Sequence, residues 1–172
     1  MRRVTLEAGS TSHRAGRTVA THGRTPHPVK LRVAQSADFA RIARWNRQLQ
    51  EDEGAEVMSP AAIETRLKSW LSDGYQAAIF TLDYPVGYAL YRHADPDSEG
   101  VGIYIRQFYI DRAERRKGYG RAAFRLLSDQ LVGERRVILE VLDLNQSGHA
   151  FWRSLGFKPY STKYEAHLGR GA

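Results

Sequence analysis

The chain has 172 residues, contains no cysteine and carries a formal net charge of +7 at pH 7. Its length is typical of one domain, and the lack of cysteine excludes disulfide bonds, thiolate metal sites and cysteine nucleophiles. No apolar run approaches the roughly 18 residues that a membrane-spanning helix needs, so we expect no transmembrane helix and a cytoplasmic location.

The first 28 residues predict a disordered basic tail. They are polar, follow no helical or strand period, and hold five arginines against one glutamate. This tail therefore carries +4 of the net charge, which leaves residues 29–172, the predicted single domain, only mildly basic. A mild charge gives weak support for nucleic-acid binding.

The first half of the domain predicts a strand followed by two helices. "VKLRVA" (29–34) alternates as a strand does, and Ser36 is the expected N-cap of the first helix. "EDEGAE" (51–56) interrupts that helix. Ser59 and Pro60 then form a cap and first helical position, which together start a second helix.

Three strands come next, at residues 75–82, 86–92 and 101–110. The first two are joined by a short link that contains proline, which predicts an antiparallel hairpin. The third strand is long and mostly apolar.

The C-terminal part predicts helix, strand, helix and strand. A helix runs from Gly120, and the apolar run 135–142 is expected to be a central strand covered on both faces. Residues 145–155 form a helix that Gly156 ends with a left-handed cap, and 162–168 is the last strand. The order β-α-α-β-β-β-α-β-α-β predicts the α+β class, with a single mixed, mostly antiparallel sheet flanked by helices.

A cationic glycine turn, "ERRKGYGRA" (114–122), separates the long strand from the following helix. Gly118 and Gly120 allow a positive φ and a close approach of the backbone to a ligand. The N-terminus of the helix and the surrounding cations would attract a phosphate. The turn is neither a P-loop nor a dinucleotide fingerprint, and a solvated hinge is the alternative interpretation.

Two motifs together resemble the GNAT superfamily of N-acetyltransferases. Residues 115–120 read Arg-x-x-Gly-x-Gly, and "NQSGHAFWRSLGF" (145–157) resembles the second signature of that family. The resemblance extends from residue 29 to about 168. It implies direct transfer of an acetyl group from acetyl-CoA, the cosubstrate, to a primary amine of an unidentified small-molecule or peptide acceptor. Dimers are common in the family, so a homodimer is included among the expectations.

The resemblance also implies a set of CoA-binding residues. A bulged, splayed strand segment would pair with the pantetheine arm through its backbone and polarise the thioester carbonyl. The amides of the glycine turn would hold the pyrophosphate. The implied residues are Phe108, Tyr109, Ile110, Arg115, Arg116, Lys117, Gly118, Tyr119, Gly120, Arg121, Asn145 and Trp152.

The catalytic residues are less clearly indicated. Trp152 stands where the family usually has a tyrosine acid, and it packs either along the CoA arm or in the core. Tyr104 stands where the family often has a glutamate base. The candidates for catalysis are Tyr104, Glu99 and Tyr109.

The acceptor is expected to meet the acidic loop or the long strand. Glu51, Asp52 and Glu53 would attract a cationic amine, although a solvated acidic loop is the alternative. Arg106 and Gln107 interrupt an apolar strand, and they serve either a structural network or substrate recognition. The scattered histidines predict no metal site.

Two other functions remain open at this stage. The missing tyrosine and glutamate favour a non-catalytic acyl-CoA-binding sensor domain. The basic tail and pI favour nucleic-acid binding, which ranks last because no RNA-binding sheet signature is present.

Overall fold

The computed structural model describes residues 28–93, 101–131, 136–164 and 166. The predicted tail, apart from Pro28, and most of the loop before the long strand lie outside the described residues. The elements, in chain order, are β1 (Lys30–Val33), α1 (Phe39–Glu53), α2 (Pro60–Ser72), β2 (Gln76–Thr81), β3 (Pro85–His93), β4 (Val101–Ile110), α3 (Tyr119–Leu131), β5 (Arg136–Leu139) and α4 (Gln146–Ser154).

The five strands form one mixed sheet in the order β1-β2-β3-β4-β5. The first three pairings are antiparallel, and β4 pairs with β5 in parallel. The predicted α+β class, with a mostly antiparallel sheet and flanking helices, is therefore confirmed. The predicted β2–β3 hairpin is confirmed as well.

Each face of the sheet has its own apolar core. One cluster lies on the α1 and α2 side and includes Ile42, Trp45, Leu67 and Tyr88. The other includes Phe80, Ile105 and Leu127, with side chains of α3 and α4 packed against it. Residues at successive strand positions alternate between the two clusters because strand side chains point to opposite faces in turn.

Two of the predicted helix ends are confirmed and one is wrong. Ser59 accepts a hydrogen bond from the Ala62 N–H at 3.2 Å, and Pro60 is the first residue of α2. Gly156 has φ of +93°, so the predicted left-handed cap after α4 is confirmed. The prediction for Ser36 is wrong. It begins a short 3₁₀ turn, Ser36–Asp38, because Asp38 accepts a hydrogen bond from the backbone N–H of Gln35 at 2.8 Å and delays the α-helix.

Two strand predictions need correction. Among the described residues β5 is the edge strand rather than a central one, and its four residues are only half-buried. Residues 162–164 and 166, part of the predicted last strand, form no strand. Tyr164 is 94% exposed and Lys163 pairs with Glu140, so this segment offers no apolar face to a sheet. The rest of that predicted strand lies outside the described residues.

Among the described helices, none combines the length and the apolar character required to cross a membrane.

Candidate functional site

The sheet opens along one side of β4. β5 pairs with β4 only from Val101 to Ile105, whereas β3 follows β4 as far as Ile110. A bulge lies at Arg106, between the pairs Tyr91–Ile105 and Leu90–Gln107. The bulge that the family resemblance placed at residues 108–110 is therefore earlier in the strand. It separates the half of β4 that pairs with β5 from a half that no described strand pairs with on that side, called the free half below.

The free half of β4 presents two backbone amides to this gap. The Asp111 N–H donates to the Val86 carbonyl at 2.8 Å, and hydrogen-bonded pairs alternate along an antiparallel ladder. Tyr109 therefore directs its backbone groups to β3, in keeping with its carbonyl lying close to Gly87. The N–H groups of Phe108 and Ile110 point the other way, into the gap.

The glycine turn lies directly beyond this free half of β4. Gly118 has φ of +84° and Arg116 has φ of +63°, which brings the chain around sharply before α3 begins at Tyr119. The first N–H groups of a helix lack partners within that helix. A Cβ built on Gly118 would meet no atom within 4 Å, so the turn borders open space. Open space beside helix N-terminal amides is suited to an anion.

Most of the cations in the turn are already paired within the chain. Arg115 reaches Asp52 at 2.6 Å and the Ile110 carbonyl at 3.0 Å. Lys117 pairs with Glu114 at 3.0 Å. Arg121 donates to both the carbonyl and the hydroxyl of Ser154, each at 3.1 Å. Among the described residues only Arg116 of the four predicted cations has no such partner, so the turn offers backbone amides more than side-chain charge.

The acidic end of α1 is the partner of this loop. Arg112 donates to Asp52 at 2.7 Å and to Glu51 at 3.0 Å, and Arg115 completes the cluster. Burial raises the pKa of Asp52, but the hydrogen bonds from Arg112 and Arg115 outweigh it and hold the pKa below its usual value. Glu51 and Asp52 thus fasten α1 to the loop between β4 and α3, which leaves little of their charge for an acceptor.

Glu53 is in a different environment from its neighbour Asp52. It is half-buried, and this burial raises the pKa of its carboxyl. The nearby Asn145 side chain lowers that pKa and the charge of Asp52 raises it further. Glu53 therefore lies beside Asn145, a residue expected at the CoA site, with a carboxylate that accepts a proton more readily than an ordinary glutamate.

Asn145 is buried at the start of α4. Its side-chain oxygen accepts hydrogen bonds from the Gly148 N–H at 2.8 Å and from the Ser147 hydroxyl at 3.0 Å. Its oxygen thus caps α4, and its predicted contact with the pantetheine or nucleotide arm stays a prediction.

A buried chain of polar groups leads inward from β4. The Tyr88 hydroxyl donates to the Gln107 amide oxygen at 3.1 Å and accepts from the Asn46 amide at the same distance. Gln50 donates to Asn46, also at 3.1 Å. Burial raises the pKa of Tyr88 far above its usual value, so its hydroxyl stays protonated. For Gln107 the structural network is therefore the interpretation that the contacts support.

Of the tyrosines predicted for catalysis, Tyr109 is held in a structural contact and Tyr104 is half-buried. Tyr109 is 2% exposed, donates to Gln48 at 2.7 Å, and burial raises its pKa to about 12. A phenol with that pKa is a weak acid toward a thiolate. Tyr104 is half-buried, and burial raises its pKa as well. Glu99 lies outside the described residues. Catalytic roles for these three stay predictions.

Trp152 belongs to an aromatic cluster around Phe108. Its ring centroid lies 5.4 Å from that of Phe108, 5.5 Å from Phe124 and 5.1 Å from Phe157. The side chain is half-buried. These contacts anchor α4 on the face of the sheet opposite α1, close to the free half of β4.

A stack of arginines and aromatic rings borders the other end of the free strand segment. The guanidinium of Arg106 lies 4.3 Å from the Trp70 ring centroid, and Arg66 lies 4.7 Å from it. Arg92 lies 5.1 Å from the ring of Tyr75. Within the part of the chain that the structure describes, none of these three arginines has a carboxylate within 4.0 Å. We call these five residues the arginine stack.

The sequence indicated only one member of the arginine stack, Arg106. Arg66 and Trp70 are four residues apart on α2, a spacing that places them on one helix face. That spacing is common in surface helices, so it gave no specific signal. Residues 28–93, 101–131, 136–164 and 166 contain no group of three metal-ligating side chains.

Comparison with known proteins agrees with the site geometry. The family model described as "Acetyltransferase (GNAT) family" matches residues 39–157. That range begins at the first residue of α1 and ends at Phe157, so it includes β4, the glycine turn and α4. No curated protein matches the chain.

Solved structures share the fold. A possible acetyltransferase from Clostridium difficile 630 superposes with a TM-score of 0.67 at 21% identity, over 83% of this chain and 99% of that chain. An acetyltransferase from Thermus thermophilus gives a TM-score of 0.64 at 22% identity, over 76% and 86%. A ribosomal-protein-alanine N-acetyltransferase from Brucella melitensis biovar Abortus 2308 gives 0.65 at 16% identity, over 83% and 100%. At these identities the likeness concerns the fold.

Proposed function

Because this chain belongs to the GNAT acetyltransferase family and is thus an acyltransferase, we propose that it transfers the acetyl group of acetyl-CoA directly to a primary amine. The observation that carries the proposal is the gap beside β4, where two amides that the ladder with β3 does not use lead to the glycine turn. An extended ligand arm ending in a pyrophosphate suits both features.

The residues of the site fit acetyl-CoA along its length. The amides of residues 117–121 and the open space at Gly118 suit the pyrophosphate. The free edge of β4 suits the amide-containing pantetheine arm, which pairs as a further strand does. When bound, acetyl-CoA supplies an activated thioester whose carbon accepts a nucleophile and whose thiolate is the leaving group.

The chain contributes polarisation and proton transfer. The Phe108 or Ile110 N–H donates to the thioester oxygen and stabilises the negative charge that develops there. Glu53 accepts a proton from the ammonium of the acceptor, directly or through water, and so frees the amine lone pair for attack, since its raised pKa suits a general base. The N–C bond forms as the C–S bond breaks. A thiol pKa near 8.5 lets the thiolate leave without a tyrosine acid and take its proton from solvent.

The turn can be tested with a matched pair of variants. Gly118→Asp and Gly118→Asn both occupy a left-handed position that these two residues tolerate best, and the space there is open. Only the aspartate places a negative charge in the phosphate site. We expect Gly118→Asp to weaken acetyl-CoA binding at least about tenfold more than Gly118→Asn, by calorimetry at low salt.

Equal affinities of the two variants would contradict pyrophosphate binding at the turn. A lack of acetyl-CoA binding by the unmodified protein would overturn the proposed function as a whole. Gly74→Asp is a control for the turn, since Gly74 also has a positive φ and open space but lies between α2 and β2 rather than in the glycine turn.

A non-catalytic acyl-CoA-binding domain is the second candidate. Trp152 in place of a tyrosine, together with the buried position of the Tyr109 hydroxyl, favours it. This candidate predicts acetyl-CoA binding with no acetylated product from any amine. Mass-spectrometric detection of an acetylated amine that depends on the protein would exclude it.

A further inference from the structure

The arginine stack is the feature that the proposed transfer chemistry leaves unused. Three guanidinium groups converge on two aromatic rings on the α1 and α2 side of the sheet. Stacking on a ring occupies the face of a guanidinium and leaves its N–H edge available in the plane. Such an edge is shaped to bind a carboxylate or a phosphate through two hydrogen bonds.

The hydrogen-bonding capacity of the stack is poorly used. Arg106 makes one long contact, from its guanidinium to the Tyr75 hydroxyl at 3.4 Å. The Nε atom of Arg66 is buried and has no hydrogen-bond partner among the described residues. A buried N–H without a hydrogen-bond acceptor costs free energy, and buried polar groups in folded proteins normally have one. A ligand that binds Arg66 would supply this acceptor.

The charges around Arg66 also favour a bound anion. Burial lowers the pKa of Arg66, and the charge of Arg106 lowers it further. Glu140, near Tyr104, pairs with Lys163, and Glu53, near Tyr88, has Asn145 as its side-chain partner. An anionic ligand would relieve the repulsion between the two guanidinium groups.

The stack lies close to the expected reaction centre. Arg106 is two residues before Phe108, whose N–H is proposed to polarise the thioester, and two strand residues span about 6.6 Å. The bulge at Arg106 also changes the direction of the strand between these two positions. An acceptor with its amine at the thioester thus reaches the stack with a group a few bonds away.

We propose that Arg66 and Arg106 form an anion subsite that selects acceptors carrying a carboxylate or phosphate a few bonds from the nucleophilic amine. This inference rests on the proposed function, because it specifies the acceptor class of the same site. Trp70 contacts both guanidinium groups, and Arg92 adds a third positive charge at the edge of the subsite.

The test compares amines that carry an anionic group with partners that lack it, and rates are referred to the free-base fraction of each amine because the members of a pair differ in amine pKa. Free amino acids are paired with their uncharged α-carboxamides, and phosphoethanolamine is paired with ethanolamine. Tripeptide amides beginning with Asp are paired with those beginning with Asn. We expect kcat/KM to be at least about thirtyfold higher for the anionic member of at least one pair. The pair that responds identifies an α-carboxylate, a phosphate or a side-chain carboxylate as the bound group.

Variants assign the preference to the stack. Arg106→Gln should remove most of that preference through KM, so kcat/KM should fall far more for the anionic member of a pair than for its uncharged partner. Arg125→Gln is the control, since Arg125 is an exposed arginine on α3, on the other side of the sheet. Equal loss for charged and uncharged amines in Arg106→Gln would overturn the anion subsite.

The two proposals fail in distinguishable ways. If amines without an anionic group are acetylated with the same kcat/KM as the anionic ones, the proposed acceptor class is wrong and the transferase proposal stands. If no amine is acetylated, the same amine pairs are titrated by calorimetry against the protein saturated with acetyl-CoA. Binding of the anionic member alone, lost in Arg106→Gln, supports the subsite, and equal or absent binding overturns it.

Discussion

Arginines occur on two sides of the free segment of β4, and they differ in what surrounds them. Arg112 and Arg115 contact the carboxylate of Asp52 at 2.7 and 2.6 Å. Arg66 and Arg106 contact the Trp70 ring, and no carboxylate of the described residues lies within 4.0 Å of them. The first pair fastens a loop. The charge of the second pair is available to a ligand.

Two adjacent acids at the end of α1 show the same division. Asp52 has a lowered pKa because hydrogen bonds from its two arginines outweigh its burial. Glu53 has a raised pKa because burial dominates. Position along the chain therefore says little about role. We propose that a charge with a partner of opposite sign is structural in this chain, and that a charge without one is the better candidate to act on a ligand.

The largest effect is expected from removing both unpaired arginines. The double variant Arg66→Gln/Arg106→Gln should lower kcat/KM for an anionic amine about a thousandfold, because each charge-assisted hydrogen bond contributes about 2 kcal/mol. No such loss of selectivity is expected from Arg112→Gln, since the partner of Arg112 is a carboxylate of the chain itself. The measurement is steady-state kinetics of both variants on an anionic and an uncharged amine. An equal loss of selectivity in both variants would contradict the distinction between paired and unpaired arginines.

Glu53→Gln should lower kcat about a hundredfold, as expected for the loss of a general base. Since the Glu53 pKa is raised, the acid limb of the wild-type pH–rate profile should lie above the usual glutamate value of about 4.3. A raised folded-state pKa costs stability as pH rises through it, so the variant should be at least as stable as wild type at pH 7. A marked loss of stability in urea would instead assign Glu53 a structural role.

Asp52→Asn should show the opposite pattern. Loss of the carboxylate that joins Arg112 and Arg115 should lower the free energy of unfolding by about 2 kcal/mol at pH 7, since these side chains are partly exposed. The folded-state pKa of Asp52 is lowered, so its contribution is present above about pH 4 and lost as pH falls through the folded pKa. The difference in free energy of unfolding between variant and wild type, measured in urea, should therefore become smaller in acid. A difference that stays constant with pH would contradict the ion-pair explanation.

The smallest effect is expected from Arg106→Lys. Lysine keeps the charge but lacks the planar fork and stacks less well on Trp70, so KM for an anionic amine should rise only about fivefold. Arg106→Gln, which lacks the charge, should be clearly worse. If lysine and glutamine have the same effect, geometry rather than charge dominates the subsite.

The element order could be predicted from the sequence because the local signals were strong. The apolar run in residues 101–110 and the pair Ser59–Pro60 each depend on neighbours within a few residues. The edge position of β5 could not be predicted, because it depends on whether a distant segment pairs with it. Asp38 likewise displaced Ser36 before the helix by accepting from the Gln35 N–H, and its carboxylate is also held by Arg32 on β1, a contact that the local sequence does not indicate.

For the site, the sequence predicted the turn but not the pairing of its charges. Arg115 and Asp52 are 63 residues apart, so nothing local indicates that they neutralise each other. Arg66 was not indicated at all, since its significance depends on Arg106 and on a ring shared in three dimensions. Glu53 was grouped with Glu51 and Asp52 because only burial distinguishes them.

An amide NMR titration with acetyl-CoA tests the central claim most directly. We predict that the largest ¹⁵N–¹H shifts occur at Phe108, Ile110 and residues 117–121, while Tyr109, whose backbone faces β3, shifts less. Adding an anionic amine analogue should then shift the side-chain Nε–H signals of Arg66 and Arg106. Shifts concentrated elsewhere, with Phe108 and Ile110 unmoved, would contradict acetyl-CoA binding along the free half of β4.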